Sequence, residues 1–149
     1  MAEATIRFYR TNDKYGCFSN FSRHAVEIDG VSWPTSEHYF QAQKYLDDKN
    51  RNDVRVASTP AEAAKIGRDR NRPLRSDWES IKDEVMLTVL RAKFTQNASC
   101  RDCLLSSGDA YLIEDTSTSG DEYWGSGRSG KGQNMLGKLL MKVREELMS

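Results

Sequence analysis

Glu37 is the residue whose type and position most readily suggest catalysis. It follows Thr35, a residue typical of a helix start, and Trp33, Tyr39 and Phe40 flank it. In the first turn of a helix, unsatisfied N–H groups and the helix dipole favour a charged carboxylate. Held ionised in a cleft, such a group could stabilise a developing cation or act as a base. The alternative, which is the more frequent case, is a surface glutamate that only complements the helix dipole.

The neighbours of Glu37 along its predicted helix divide between two faces. Gln41 and Lys44 lie four and seven residues further on and share its face. The opposite side can serve the core, and it carries Tyr39, Ala42, Gln43 and Leu46. The sequence leaves open whether Gln41 and Lys44 point into a site or into solvent.

An arginine-rich segment, residues 67–75, could bind phosphate. It leads towards a predicted helix start and contains Arg68, Arg70, Arg72 and Arg75. Arginine can bind phosphate through two parallel hydrogen bonds. A solvated charged loop is the alternative, and such loops are common.

A glycine-rich segment, residues 125–132, matches the first seven positions of the nucleotide-binding pattern G-x-x-x-x-G-K. Its eighth position is Gly132 rather than the Ser or Thr that would hold Mg²⁺, and the expected βαβ setting is absent. The segment therefore does not indicate a nucleoside triphosphatase. It is still a backbone-rich loop with Lys131, it precedes a helix that Asn134 would cap, and it could cradle a single phosphate.

An acidic pair precedes an aromatic pair at residues 121–124. Asp121 or Glu122 beside Trp124 would place a carboxylate next to an indole that can stack on a base or a sugar. Such a pairing suits chemistry at the glycosidic bond between base and sugar. The alternative, a buried tryptophan with surface acids, is the commoner arrangement.

Composition limits the class of protein. The 149 residues include 22 Lys and Arg against 22 Asp and Glu, so no overall charge attracts nucleic acid. We interpret Cys17, Cys100 and Cys103 as reduced packing residues, because neither they nor the two histidines have the spacing of metal ligands. No apolar run suits a membrane span, and the opening residues lack the apolar segment of a signal peptide. We expect a cytoplasmic protein that needs no metal and no cofactor.

The elements that must position these residues are short strands and helices. Strands are predicted at residues 5–9 and 111–113, and a hairpin is predicted through Asp29-Gly30, a dipeptide typical of a type I′ turn. Helices are predicted for residues 35–48, 60–67, 78–97 and 99–105, and after Asn134. The predicted fold class is therefore α+β, a mainly helical single domain over residues 1–149 with a small antiparallel sheet.

Characteristic segments occur in a fixed order along the chain: residues 18–21 (FSNF), 33–44 (WPTSEHYFQAQK), 67–68 (GR), 73–75 (PLR), 78 (W), 92–94 (AKF), 123–125 (YWG) and 130–137 (GKGQNMLG). Together they resemble the NADAR family of YbiA-like proteins, and the resemblance extends from about Ile6 to the C-terminus. The string at residues 33–44 alone is long enough to be specific. The resemblance implies an α+β domain that hydrolyses a C–N glycosidic bond.

The resemblance also implies a substrate class. In the stand-alone branch of the family, the substrates are early intermediates of riboflavin biosynthesis, ribosylaminopyrimidine 5′-phosphates, which are cleaved to ribose 5-phosphate and a free pyrimidine. Other branches remove ADP-ribose from guanine. A non-catalytic module that binds ADP-ribose or a nucleotide is the third hypothesis. Because the net charge is zero, nucleic acid is an expected partner only for the ADP-ribosyl-guanine activity.

The resemblance implies Glu37 as the catalytic group, with Trp78 and Asp121 also involved. An N-glycosidic bond breaks through a cationic sugar, so an ionised carboxylate near C1′ would lower the barrier. Trp78 or Trp124 could stack on the heterocycle, and Asn20 could bind the base or the ribose. The candidates for the 5′-phosphate are Arg68, Lys131 and the backbone around Asn134.

Overall fold

The computed structural model describes residues 4–149. The strands are β1 (Thr5–Phe8), β2 (Val26–Ile28), β3 (Val31–Trp33) and β4 (Tyr111–Glu114). The helices are α1 (Ser36–Ala42), α2 (Asp48–Arg55), α3 (Pro60–Arg68), α4 (Trp78–Gln96), α5 (Ala98–Ser106) and α6 (Met135–Met148), and a 3₁₀ turn covers Gly16–Phe18. This mixture confirms the α+β prediction.

These residues form two compact units, 20–93 in one and 4–19 with 94–149 in the other. Throughout the described part of the chain, no helix combines the length and the apolar character that crossing a membrane requires.

In the unit of residues 20–93, β2 and β3 form the predicted antiparallel hairpin. Asp29 and Gly30 have φ angles of 54° and 78°, the left-handed pair that a type I′ turn requires. Thr35 caps α1 as predicted, because its side chain accepts a hydrogen bond from the His38 N–H at 3.2 Å. The hairpin therefore leads directly into the helix that carries Glu37.

Helix α1 ends at Ala42, and the prediction that it continues to about Asp48 is wrong. The chain turns after α1 because Tyr45 is fully buried, and its hydroxyl donates to a backbone carbonyl of α3 at 2.7 Å. Asp47 then caps a separate helix, α2, by accepting a backbone hydrogen bond at 2.9 Å. Leu46, which was expected on the core side, is 68% exposed.

In the other unit, β1 pairs in parallel with β4, with Thr5 opposite Tyr111 and Phe8 opposite Glu114. The sequence predicted both strands but not their pairing, because two strands so far apart in the chain share no local signal. Helix α6 packs on β4. Its buried apolar side chains are Leu136, Leu139, Leu140 and Val143.

Asn134 is the N-cap residue of α6, as predicted, but its side chain makes no capping hydrogen bond. Its φ angle is 54°, and its amide joins the helix start to β4 instead. Oδ1 accepts from the Glu114 N–H at 3.0 Å, and Nδ2 donates to the Leu112 C=O at 2.8 Å. Asparagine suits this position because it tolerates the left-handed region and offers both a donor and an acceptor.

Candidate active site

Glu37 is buried, so the interpretation as a surface glutamate is wrong. The residue is 8% exposed, and its N–H donates to the Asn20 C=O at 3.1 Å. Ser36 Oγ donates to Asn20 Oδ1 at 2.9 Å. Asn20 therefore holds the first turn of α1 through both its backbone and its side chain. The predicted substrate-binding residue Asn20 lies directly beside the predicted catalytic residue.

Gln41 fixes the carboxylate of Glu37. Its Nε2 donates to Glu37 Oε2 at 2.7 Å, one turn along α1, and Gln41 itself is 7% exposed. The amide oxygen of Gln41 is buried without a hydrogen-bond partner and lies against Gly67, where an added Cβ would overlap it. The Gln41 Nε2 thus faces Glu37 as a hydrogen-bond donor, and the Gln41 oxygen faces Gly67.

Lys44 joins the same cluster through Gly67 and Trp78. Its Nζ donates to the Gly67 C=O at 3.1 Å and lies 5.8 Å from the centroid of the Trp78 ring. Trp78 packs edge to face on Phe40, with ring centroids 5.1 Å apart. The Gly67 C=O thus accepts a hydrogen bond from Lys44. The absence of a Cβ at Gly67 leaves room for the amide of Gln41, which holds Glu37.

Lys44 has a lowered pKa, which predicts a pH-dependent stability. Burial and the positive charge of Arg70 lower the pKa to about 8, although the negative charge of Glu37 opposes the shift. In the unfolded chain, Lys44 has the ordinary, higher pKa of lysine. Between the two pKa values, Lys44 is therefore protonated in the unfolded chain and deprotonated in the folded protein. Stability should rise with pH through this window.

The comparison that isolates this effect is between the wild type and Lys44→Met, unfolded in urea. Between about pH 7.5 and about pH 10, the wild type should gain at most about 2 kcal/mol of unfolding free energy relative to the variant. A difference between the two proteins that stays constant with pH would contradict the lowered pKa.

Two of the four arginines in residues 67–75 are held by acidic neighbours. Arg72 donates to the carboxylate of Asp53 at 2.8 Å, and Arg75 donates to that of Asp77 at 2.7 Å. These contacts raise the pKa of both guanidinium groups and lower the pKa of both carboxyl groups. Arg72 and Arg75 therefore stabilise the loop.

The other two arginines lie beside Lys44. Arg70 donates to the Gly67 C=O, the same oxygen that accepts from Lys44. Arg68 is exposed at the end of α3, and its charge contributes to the lowered pKa of Lys44. Of the predicted phosphate-binding segment, Arg68 and Arg70 are the residues whose positive charges act on Lys44.

In the other unit, Asp121 organises the aromatic pair that follows it. Its Oδ1 accepts hydrogen bonds from the N–H groups of Tyr123 and Trp124, at 2.9 and 2.8 Å. The two rings pack edge to face with centroids 4.9 Å apart, and both are half-buried. Asp121 thus contacts the backbone of Trp124, and the placement of a carboxylate against the indole stays a prediction. Trp124 is not the fully buried tryptophan of the alternative.

The backbone of the glycine-rich segment is occupied by contacts within its own unit. The Gly132 N–H donates to the Ser126 C=O at 2.7 Å, and the Asn134 N–H donates to the Gly125 C=O at 3.1 Å. The first N–H groups of α6 donate to the carbonyls of residues 123 and 124. These N–H groups already donate within the unit, which leaves them no hydrogen for a phosphate in this structure. Phosphate binding by the loop stays a prediction. Lys131 has an exposed side chain, and its phosphate role stays a prediction.

The unit of residues 20–93 thus brings together Asn20, Glu37 and Trp78, with Arg68 beside Lys44. The remaining predicted site residues, Asp121, Trp124, Lys131 and Asn134, belong to the other unit. The oxygen and the nitrogen of the Asn134 side-chain amide are both hydrogen-bonded to β4. The role of Asn134 in substrate binding stays a prediction. Over residues 4–149, no three His, Cys, Asp or Glu side chains are arranged to hold a metal ion.

Sequence reasoning assigned no role to Gln41, Lys44 or Gly67. The spacing of four and seven residues from Glu37 placed the first two on its helix face and could have identified them. Gly67 carried no such signal, because the contact that excludes a side chain there comes from another helix.

Comparison with known proteins identifies close relatives. The chain is 54% identical to N-glycosidase YbiA of Escherichia coli, over 99% of this chain and 91% of that protein. It is 44% identical to an N-glycosidase of Nostoc punctiforme, over 96% and 92% respectively. It is 39% identical to the chloroplastic riboflavin biosynthesis protein PYRR of Zea mays, over 96% of this chain and 25% of that protein.

The fold has a solved counterpart. The NMR structure of E. coli YbiA matches with a TM-score of 0.90 at 53% identity, over 99% of this chain and 87% of that one. The family model of the NADAR domain matches residues 7–148, which include nearly all of both compact units. The chain is therefore a member of the NADAR family.

Proposed function

We propose that this chain is an N-glycosidase that cleaves ribosylaminopyrimidine 5′-phosphates, early intermediates of riboflavin biosynthesis, to ribose 5-phosphate and a free pyrimidine. The names of its bacterial relatives support the reaction, and the name of its plant relative supports the pathway. The observation that carries the proposal is the buried carboxylate of Glu37, held at 2.7 Å by Gln41.

A buried carboxylate suits a reaction that passes through a cationic sugar. As the bond from C1′ to nitrogen stretches, its electron pair leaves with the nitrogen and positive charge develops on the sugar. A carboxylate held away from water stabilises that charge more strongly than an exposed one, because the surroundings screen it less. Water then adds to C1′ and loses a proton, while the departing nitrogen gains one.

The neighbouring side chains have separate tasks in this proposal. Glu37 stabilises the sugar cation or orients the attacking water. Lys44, with a pKa of about 8, can exchange a proton near neutral pH or attract the anionic substrate. Trp78 is buried and supports Lys44. Trp124, which belongs to the other unit, is half-buried, and stacking on the heterocycle stays its predicted role.

Arg68 is the candidate for the 5′-phosphate that can be tested most directly. Arg68→Ala should raise KM for the phosphorylated substrate about 10-fold, because one charge-assisted contact is lost, and should leave KM for the dephosphorylated analogue nearly unchanged. Steady-state kinetics with both compounds gives the ratio. Arg23→Ala, which removes another exposed arginine of the same unit, is the control and should change neither value. Equal effects of Arg68→Ala on both substrates would remove the phosphate role.

The activity itself is tested with two substrates side by side. Purified protein is incubated with freshly prepared ribosylaminopyrimidine 5′-phosphate and, separately, with ADP-ribosylated guanosine, and ribose 5-phosphate and ADP-ribose are quantified. We expect release of ribose 5-phosphate. Release of ADP-ribose alone would overturn the substrate assignment, and no product from either compound with folded protein would overturn the N-glycosidase.

A further inference from the structure

A pocket of about 320 Å³ lies within the unit of residues 20–93 and is lined by the hairpin, α1 and α2. Trp33 and Tyr39 form its aromatic part, and their rings pack edge to face with centroids 5.5 Å apart. Tyr39 comes two residues after Glu37, so the two side chains leave α1 in directions about 200° apart. Neither Glu37 nor Trp78 lines the pocket. It is therefore separate from the candidate active site, and its volume is that of a small-molecule site.

Two arginines of α2 bring positive charge to this pocket. Arg51 and Arg55 both line it, and their spacing of four residues places them on one face of the helix. Arg51 donates to the side-chain oxygen of Gln43, and Arg55 donates to that of Asn52 at 2.9 Å. Within the described part of the chain, neither guanidinium forms an ion pair with a carboxylate, in contrast to Arg72. Both are therefore available to an anion, and guanidinium groups bind phosphate particularly well.

Two acidic residues line the same pocket. Asp29 lies in the turn of the hairpin, and Asp48 is the first residue of α2. Burial raises the pKa of the half-buried Tyr39, the charge of Asp29 raises it further, and the charge of Arg51 opposes the shift. Charges of both signs thus act on the aromatic part of the pocket. A suitable ligand carries its negative charge at one end and presents hydrogen-bond donors, such as amino groups, to the carboxylates.

The residues that line the pocket also include two unused donors. Trp33 Nε1 and Arg51 Nε are buried, and neither has a hydrogen-bond partner among residues 4–149. Buried polar groups in proteins are normally hydrogen-bonded. Two such donors at one pocket favour a ligand that has acceptor atoms over a purely apolar one.

We infer that this pocket binds a nucleoside monophosphate whose base carries an exocyclic amino group. The base packs on the aromatic pair, its amino group donates to one of the two acids, and the phosphate binds the two arginines. A phosphate is favoured over a carboxylate because two unpaired guanidinium groups can share its two charges. The inference does not rest on the proposed glycosidase, since it uses none of the residues assigned to that activity.

The test follows the full chain by ¹H–¹⁵N NMR while adenosine 5′-monophosphate is added, because each of the three tryptophans gives its own indole signal. We expect a saturable shift of the Trp33 signal with a Kd below about 1 mM. Arg55→Ala should raise this Kd about 10-fold, because one charge-assisted contact with the phosphate is lost. Adenosine, which lacks the phosphate, should bind the wild type at least about 10-fold more weakly.

The matched control is Lys49→Ala, which also removes a positive charge from α2. Lys49 is exposed, pairs with Asp53 at 3.0 Å and does not line the pocket. This variant should keep the wild-type Kd for adenosine 5′-monophosphate. The same spectra show whether each variant is folded.

Three results would overturn the inference. The first is the absence of a saturable shift at Trp33 with millimolar nucleotide, including the case in which only the Trp78 signal moves. The second is an unchanged Kd in Arg55→Ala. The third is an equal Kd for inosine 5′-monophosphate, whose base has a carbonyl in place of the amino group. Because binding is measured at Trp33, its failure is distinguishable from a failure of the chain to cleave a glycosidic bond.

Discussion

Glu37→Gln should lower kcat by about 1,000-fold or more while leaving the protein folded, because the charge that opposes the sugar cation is removed without a change of shape. The amide oxygen of the new side chain can still accept the hydrogen bond from Gln41, so the packing around it should persist. Release of ribose 5-phosphate in a single-substrate assay gives kcat. Urea denaturation gives the free energy of unfolding, which we expect to change little.

The matched control is Glu62→Gln. Glu62 also lies in the first turn of a helix, α3, but it is exposed, and the cap contact at its position uses its backbone N–H. This variant should keep the wild-type kcat. Hydrolysis by Glu37→Gln at the wild-type rate would remove Glu37 from the reaction, whatever the substrate.

Gly67→Ala should lower kcat about 10-fold to 100-fold, although the substituted position makes no contact with substrate in this proposal. The new Cβ would overlap the amide oxygen of Gln41, so Gln41 must move and release its hydrogen bond to Glu37. Alanine is the better helix former, so a loss of activity would not come from a weaker helix. The KM should change less than kcat, because the effect is on the position of the catalytic carboxylate.

A double-mutant cycle distinguishes this mechanism from general disruption. If Gly67→Ala acts through Gln41, it should cause little further loss in a Gln41→Ala background, where no amide remains to be displaced. The single and double variants are compared by kcat, with unfolding in urea as the check on stability. Additive losses of kcat would contradict the positioning role of this pair.

Local signals in the sequence predicted the elements that depend on nearest neighbours. Asp29-Gly30 indicated the type I′ hairpin, and Thr35 indicated the start of α1, because turns and caps are decided within a few residues. The end of α1 was missed because the burial of Tyr45 against α3 turns the chain. The role of Asn134 was missed for a similar reason, since its partners are on β4.

The candidate site shows the same limit. The position of Glu37 in the first turn of a helix and the place of Gln41 on the same face could be predicted. The burial of Glu37 could not, because the contact with Asn20 forms only in the folded chain. The glycine-rich segment suggested free N–H groups, and only the structure showed that carbonyls such as that of Ser126 already accept them. Patterns of residue type identified the carboxylate, and tertiary contacts determine what surrounds it.

The parallel pairing of β1 with β4 has a consequence for how the chain is made. Residues 20–93 are contiguous and leave the ribosome as one stretch, whereas β1 must wait until Glu114 has been synthesised before its partner strand exists. Until then the hydrogen-bonding edge of the first strand is open to other nascent chains. Slow translation between the end of β1 and Glu114 should therefore increase aggregation during synthesis, and fast translation should reduce it.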